Sequence, residues 1–154
     1  MKDKQNVGNS GEYYIAAFLS ARNFIVTITL GRAIGYDLLA VNPSGKLIKI
    51  SVKTRDSNST HRFVLSEKSE SLKSEDLFYA FVRTNKFESL PDFWMIPSKI
   101  VAEQTYNSHK KWLQEDSNHK DNTMRTFWVK NHDLFPKNWG ETMEQYHNSY
   151  SSLL

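Results

Sequence analysis

Four residues stand where a compact chain has few purely structural reasons to put them. Glu12 lies in a helical run, NSGEYYIAAFLSAR, Asp37 interrupts the otherwise apolar YDLLAV, and Ser51-Val52-Lys53 falls near the end of LIKISVKT. Aspartate is disfavoured in strands and seldom sits there without a partner or a task. The two apolar runs flank Asn42-Pro43-Ser44-Gly45, with Pro and Gly placed for a turn, so residues 36–41 and 47–54 are predicted to form a β-hairpin. With a loop over 42–46 and Val41 paired to Leu47, Asp37 falls opposite Ser51 and diagonal to Lys53 on the same face. An acid and an ammonium then meet at one sheet edge, as a structural ion pair or as a working site. A slip of one residue would move Asp37 to the other face. Asn9 and Glu12 also have capping-box spacing, which offers Glu12 a structural role, and Lys53 has the alternative of a solvated strand-end lysine.

The elements that must hold these residues follow from periodicity. Tyr14, Ile15, Phe18 and Leu19 recur at helical spacing, giving a first helix over 9–22 with Asn9 as N-cap. FIVTITL at 24–30 reads as a strand. In 47–54, Ile48, Ile50 and Val52 share one face and Lys49, Ser51 and Lys53 the other, so Lys53 should point away from the main apolar layer. RFVLS at 62–66 is a further strand, 67–76 a short solvated helix or turn, and LFYAFVR at 77–83 a strand buried on both faces at the sheet's centre. DFWMI leads through Pro97 into a helix, SKIVAEQTY, followed by a mobile polar connection over 106–122 with one or two helical turns, an edge strand at 123–130 and a terminal helix ETMEQYH.

With 154 residues, 39% of them hydrophobic and 13% aromatic, the chain can bury one real core, and a single domain over 1–154 with a C-terminal extension from about residue 106 is expected. The lack of cysteine excludes a disulfide framework, a thiolate zinc site and a cysteine nucleophile, and suits the cytoplasm. The N-terminal MKDKQNVGNSGEYY carries no apolar stretch of signal-peptide length, and no later run is long enough to span a membrane. A formal charge of +3 permits a polyanionic partner without demanding one.

The helix bearing Gly11-Glu12, the strand, the hairpin with its Asp37 and the strand end Val52-Lys53-Thr54 together resemble the PD-(D/E)xK superfamily of nucleases, over roughly residues 8–83. The resemblance implies an α/β fold with a restriction endonuclease-like core: a central mixed sheet whose hairpin carries the site, flanked by helices. It implies Glu12 and Asp37 as ligands of Mg2+ (or Mn2+), Lys53 as the catalytic lysine that positions the attacking water, and Ser51 where the family carries Glu, Asp or Gln. The implied chemistry is phosphodiester hydrolysis in DNA. The alternative is an inactive nuclease fold kept as a nucleic-acid-binding or protein-interaction module. Arg32, Lys49, Arg55 and Arg62 lie on or near this face and are the candidate phosphate contacts. Nucleases that cut both strands often pair two sites by symmetry, which leaves a homodimer open, although no residue marks a dimer face.

Other motifs read more plainly. His109, His119 and His132 fit no metal-ligand spacing and are expected to be surface histidines. Trp112, Trp128 and Trp139 are expected to pack around the C-terminal elements rather than to stack bases. Gly8-Asn9-Ser10-Gly11 is too short and wrongly spaced for a phosphate-binding loop.

Overall fold

A computed structural model describes residues 3–30, 35–57 and 59–154. Helix α1 (Lys4–Ser20) leads into a five-stranded mixed sheet in the order β1-β2-β3-β5-β6, formed by β1 (Ile25–Ile28), β2 (Leu38–Val41), β3 (Leu47–Arg55), β5 (Leu77–Arg83) and β6 (Asp92–Pro97). A separate two-stranded sheet pairs β4 (Arg62–Ser66) with β7 (Met124–Trp128), and helices α2 (Ser98–Glu115) and α3 (Trp139–Glu144) complete the elements used here. The mixed α/β class with a central mixed sheet flanked by helices is the expected one.

Two apolar layers sandwich the large sheet. On one face Ile15 and Leu19 of α1 pack on Ile48, Ile50, Val52, Phe78, Ala80 and Met95. On the other, Tyr79, Phe81, Trp94 and Ile96 meet Phe63 and Leu65 of β4, Phe127 of β7, Val101 of α2 and Trp139 of α3. The alternation along β5 feeds both layers, which is why LFYAFVR is apolar almost without break. The centre of the sheet is nevertheless β3, with two strands on either side, rather than β5.

The second layer adds to the expectation for β3. Lys49, Ser51 and Lys53 lie on the face away from Ile48, Ile50 and Val52, as the alternation predicts, but that face is partly covered: Ser51 is only 5% exposed, and the cleft it lines is walled by residues of β4 and of the short 3-10 turn Glu67–Glu70. Likewise 123–130 does not extend the main sheet but pairs with β4. The polar stretch from 106 is largely ordered, since α2 runs to Glu115 without a break at that point.

Register in the hairpin is fixed by Asn42. Its Oδ1 accepts from the Ser44 and Lys46 amides at 3.0 and 2.9 Å, closing the loop, while its Nδ2 donates to the Leu153 carbonyl at 2.9 Å. Gly45 adopts φ +89°, a left-handed conformation that glycine supplies without a side-chain penalty. Val41 consequently pairs with Leu47 and Leu38 with Ile50, the register on which the site geometry depends.

Helix α1 begins five residues earlier than its periodicity suggests. Asp3 is the N-cap, its carboxylate accepting from the Gln5 amide at 2.9 Å, so Asn9 and Glu12 lie inside the helix and the capping-box role for Glu12 is excluded. Tertiary packing overrides the weak helix propensity of Gly8, Asn9 and Gly11.

Candidate functional site

Continuing the hairpin register beyond Leu38–Ile50 sets Asp37 opposite Ser51, and across the next ladder Ser51 pairs with Tyr79. These three residues form a row across the sheet, with Lys53 one pleat along β3 on the same face. The Asp37 amide donates to the Ile50 carbonyl at 2.8 Å, and its Oδ2 accepts from the Val52 amide at 2.6 Å. One carboxylate oxygen is therefore committed to holding the side chain, and the other has no hydrogen-bond partner among the described residues.

Asp37, Ser51, Lys53 and Tyr79 line a cleft of about 400 Å3, whose opposite wall comes from Val64 and Ser66 of β4 and from Lys68 and Ser69. Lys53 makes no ion pair among the described residues, so the structural Asp37–Lys53 bridge is not what holds the hairpin. Glu12 does not line the cleft; it stands on α1, and its charge interacts with both Asp37 and Lys53. Burial, and then the Asp37 carboxylate, raise the Glu12 carboxyl above the ordinary glutamate value, while Lys53 pulls it back. Burial, and then Asp37, push the Tyr79 hydroxyl up to about 12, so Tyr79 is a neutral hydrogen-bond donor at ordinary pH.

Gly11 permits this convergence. A Cβ built on Gly11 would stand 2.0 Å from the Thr54 hydroxyl oxygen and 2.9 Å from Thr54 Cβ and Cγ2, so only glycine lets α1 lie this close to β3. The neighbouring Glu12 is thereby carried to the site.

The proposed phosphate contacts divide. Lys49 is bound to Asp76 at 2.9 Å, and Arg55 and Arg62 line a different, larger cleft of about 670 Å3 that excludes Asp37 and Lys53. Arg32 lies outside the described residues. Sequence reasoning missed Tyr79, Lys68 and Gly11. Tyr79 is apolar-looking within a buried strand, Lys68 is one charge in a charged run, and Gly11 would have been found by asking what a helix glycine must approach. The three histidines are not free surface groups: His109 bonds Asp121 at 2.8 Å with its side chain 11% exposed, while His119 stacks on Trp112 and His132 on Trp128. Of the three tryptophans Trp139 is buried as expected, whereas Trp112 and Trp128 are half-buried and line the larger cleft.

No family model matches the sequence, and no curated protein matches it. Among solved structures, that of a bacterial homing endonuclease superposes with a TM-score of 0.58 at 15% identity, covering 100% of this chain and 93% of that one. The likeness establishes a common fold. Among the described residues no helix is long and apolar enough to cross a membrane.

Proposed function

We propose that the chain is a divalent-metal-dependent nuclease of the PD-(D/E)xK type acting on DNA, with Asp37 and Glu12 as metal ligands, Ser51 as a neutral third position and Lys53 as the catalytic lysine. The observation that carries this reading is a pair of unspent polar groups on one cleft, an Asp37 oxygen and the Lys53 ammonium, with the Glu12 carboxylate outside the lining but within reach of both charges; the three make no ion pair with one another among the described residues. The fold shared with a homing endonuclease supports it, since that protein is itself an endonuclease.

The donor set fits a hard cation of the magnesium class. No group of three acidic or histidine side chains able to hold a metal occurs among the described residues, but magnesium is commonly held by one or two carboxylates, with waters and substrate phosphates completing the octahedron. The raised Glu12 carboxyl fits too, because burial, and then the Asp37 charge, disfavour its ionisation until a cation offsets them. Such an ion supplies charge neutralisation at a phosphate and a more acidic bound water. The Val52 amide fixes the Asp37 carboxylate so that its second oxygen faces the cleft. Lys53 offers three donors to orient a water or to stabilise charge developing on the phosphate oxygens. Tyr79, held neutral, can donate to a phosphate oxygen from the floor of the cleft.

Ser51 favours a second reading, an inactive nuclease fold retained for binding. Replacing a carboxylate ~4 Å from the ion forfeits about 4 kcal/mol of attraction at an effective dielectric of ~20, before desolvation offsets part of it. Calorimetric titration with Mg2+ or Mn2+ alongside plasmid cleavage separates the two. The nuclease reading expects both signals in wild type, their loss in Asp37→Ala and tighter metal binding in Ser51→Glu. A wild type that neither binds metal nor cuts leaves the binding module.

A further inference from the structure

The larger cleft lies beside the hydrolytic one and carries a different chemistry. Strand β3 serves both: Lys53 points into the first cleft, and Arg55, two residues on and on the same face, lines the second. Strand β4 is shared in the same way, with Val64 in one and Arg62 in the other.

Three features of this second cleft define a ligand. The first is a pair of guanidinium groups that, among the described residues, have no carboxylate partner. Among the described residues the Arg55 side chain donates only to the Arg62 carbonyl, at 3.1 Å, and its Nε is buried without an acceptor. An unsatisfied buried donor of this kind is costly unless a ligand supplies the acceptor. The second is a flat aromatic wall. Trp128 lies across the ladder from Arg62, and His132 stacks on it at 4.2 Å with 16° between the planes. The third is a pair of acceptors, Glu115 and Asp133, in the same lining.

We infer that this cleft binds a nucleotide unit. The phosphate would lie on Arg55 and Arg62, the base against the Trp128–His132 stack, and an exocyclic amino group of the base would donate to Glu115 or Asp133. A simple anion would use the arginines but meet two carboxylates, and an apolar ligand would leave the guanidinium groups unpaired. A heterocycle that is anionic at one end and amino-bearing at the other satisfies all three features. Capture of an unpaired base beside the cleaved phosphodiester is the use this cleft would have, and that use rests on the nuclease reading; the binding itself does not.

The test is a titration of intrinsic tryptophan fluorescence with deoxyadenosine monophosphate, with inorganic phosphate as the comparison. Trp94 and Trp139 are buried, so quenching reports Trp112 and Trp128. Wild type should show a saturable quench that inorganic phosphate reproduces only weakly. Arg62→Gln should weaken binding about tenfold or more, Arg62→Lys less, and Asp37→Ala should leave it unchanged. Circular dichroism of each variant checks that it is folded. No saturable quench in folded wild type, a quench indifferent to both Arg62 substitutions, or one abolished by Asp37→Ala would each overturn the inference. A protein that passes here but neither binds metal nor cuts DNA overturns the nuclease reading alone, and one that cuts DNA but fails here overturns the nucleotide cleft alone.

Discussion

Substituting alanine at Gly11 and at Gly8, three residues apart in one helix, should change stability in opposite directions. In an exposed helix interior, replacing glycine with alanine stabilises by about 0.8–1 kcal/mol. Gly8 has nothing within 4 Å of a built Cβ, so Gly8→Ala should realise most of that gain. At Gly11 the same methyl would lie 2.0 Å from the Thr54 hydroxyl and 2.9 Å from both Cβ and Cγ2 of that residue. Rotating Thr54 about χ1 exchanges one heavy atom for another, and Cβ stays in place, so α1 must recede from β3 by roughly 1 Å. Forcing an extra methyl into packed structure costs typically ~1–3 kcal/mol, and the helix-propensity gain offsets part of it. The net expectation for Gly11→Ala is a loss of up to about 2 kcal/mol, read from urea denaturation as a lower midpoint at unchanged slope. Because Glu12 moves with the helix, divalent-metal affinity should fall as well, and a displacement of that size can cost about two orders of magnitude in a positioned reaction. Thr54→Ala removes two of the three clashing atoms and should restore part of the stability. Equal stabilisation by Gly8→Ala and Gly11→Ala would refute the close approach of α1 to β3, and with it the placement of Glu12.

Four further outcomes follow from three titrating groups. On the proposed nuclease reading metal binding needs ionised Glu12, whose carboxyl burial and Asp37 hold above the ordinary value, so affinity should begin to fall at higher pH than an unperturbed glutamate would allow, with Glu12→Gln flattening the profile. Without metal the same raised pKa contributes stability at low pH that is lost as pH rises through it, which chemical denaturation in chelator would record. Asp92 behaves oppositely: burial raises its pKa, but the bidentate hydrogen bonds and charge of Arg83, with help from His147, outweigh burial and lower it. Its contribution is present above the unfolded aspartate value and lost as pH falls through the folded one, and Asp92→Asn should cost about 2 kcal/mol near neutral pH, with the difference shrinking in acid. Ultraviolet titration should find a tyrosine ionising only near 12, absent in Tyr79→Phe.

The hairpin was legible because its determinants are local. Asn42, Gly45 and the alternation of Ile48, Ile50 and Val52 specify turn, register and face together, so the juxtaposition of Asp37 with Ser51 follows from sequence. RFVLS and LFYAFVR were equally readable as strands, but their partners were not. Pairing of β4 with β7 depends on Phe63 and Phe127 meeting over Phe81, a contact between distant segments that periodicity does not encode. The start of α1 was hidden because Gly8 and Gly11 look like breakers until Thr54 is known to lie against Gly11. The length of α2 was hidden for a related reason: beyond Tyr106 its residues are mostly polar, and Ser108 is buried only because the helix continues. Arg55 and Arg62 read as flanking phosphate contacts because parity along a strand gives a face and not the wall that divides one cleft from the next.

Ser51 is where stability and metal affinity are in tension. It is buried and sits in the sheet between Tyr79 and Asp37, whose charge also acts on Glu12. A carboxylate there would add a third negative charge to a partly desolvated cluster, which raises pKa values and destabilises the fold unless a cation is present. Serine removes that repulsion and gives up a ligand. The Ser51→Glu protein should therefore be less stable than wild type in chelator and gain more stability from divalent metal than wild type does, because a ligand at free concentration c that binds only the folded state stabilises by RT ln(1 + c/Kd), which grows as Kd falls. Thermal denaturation of both proteins with and without Mg2+ measures the two differences directly. If Ser51→Glu is as stable as wild type in chelator and indifferent to metal, residue 51 does not face the carboxylates, and the row Asp37–Ser51–Tyr79 cannot be the seat of a metal site.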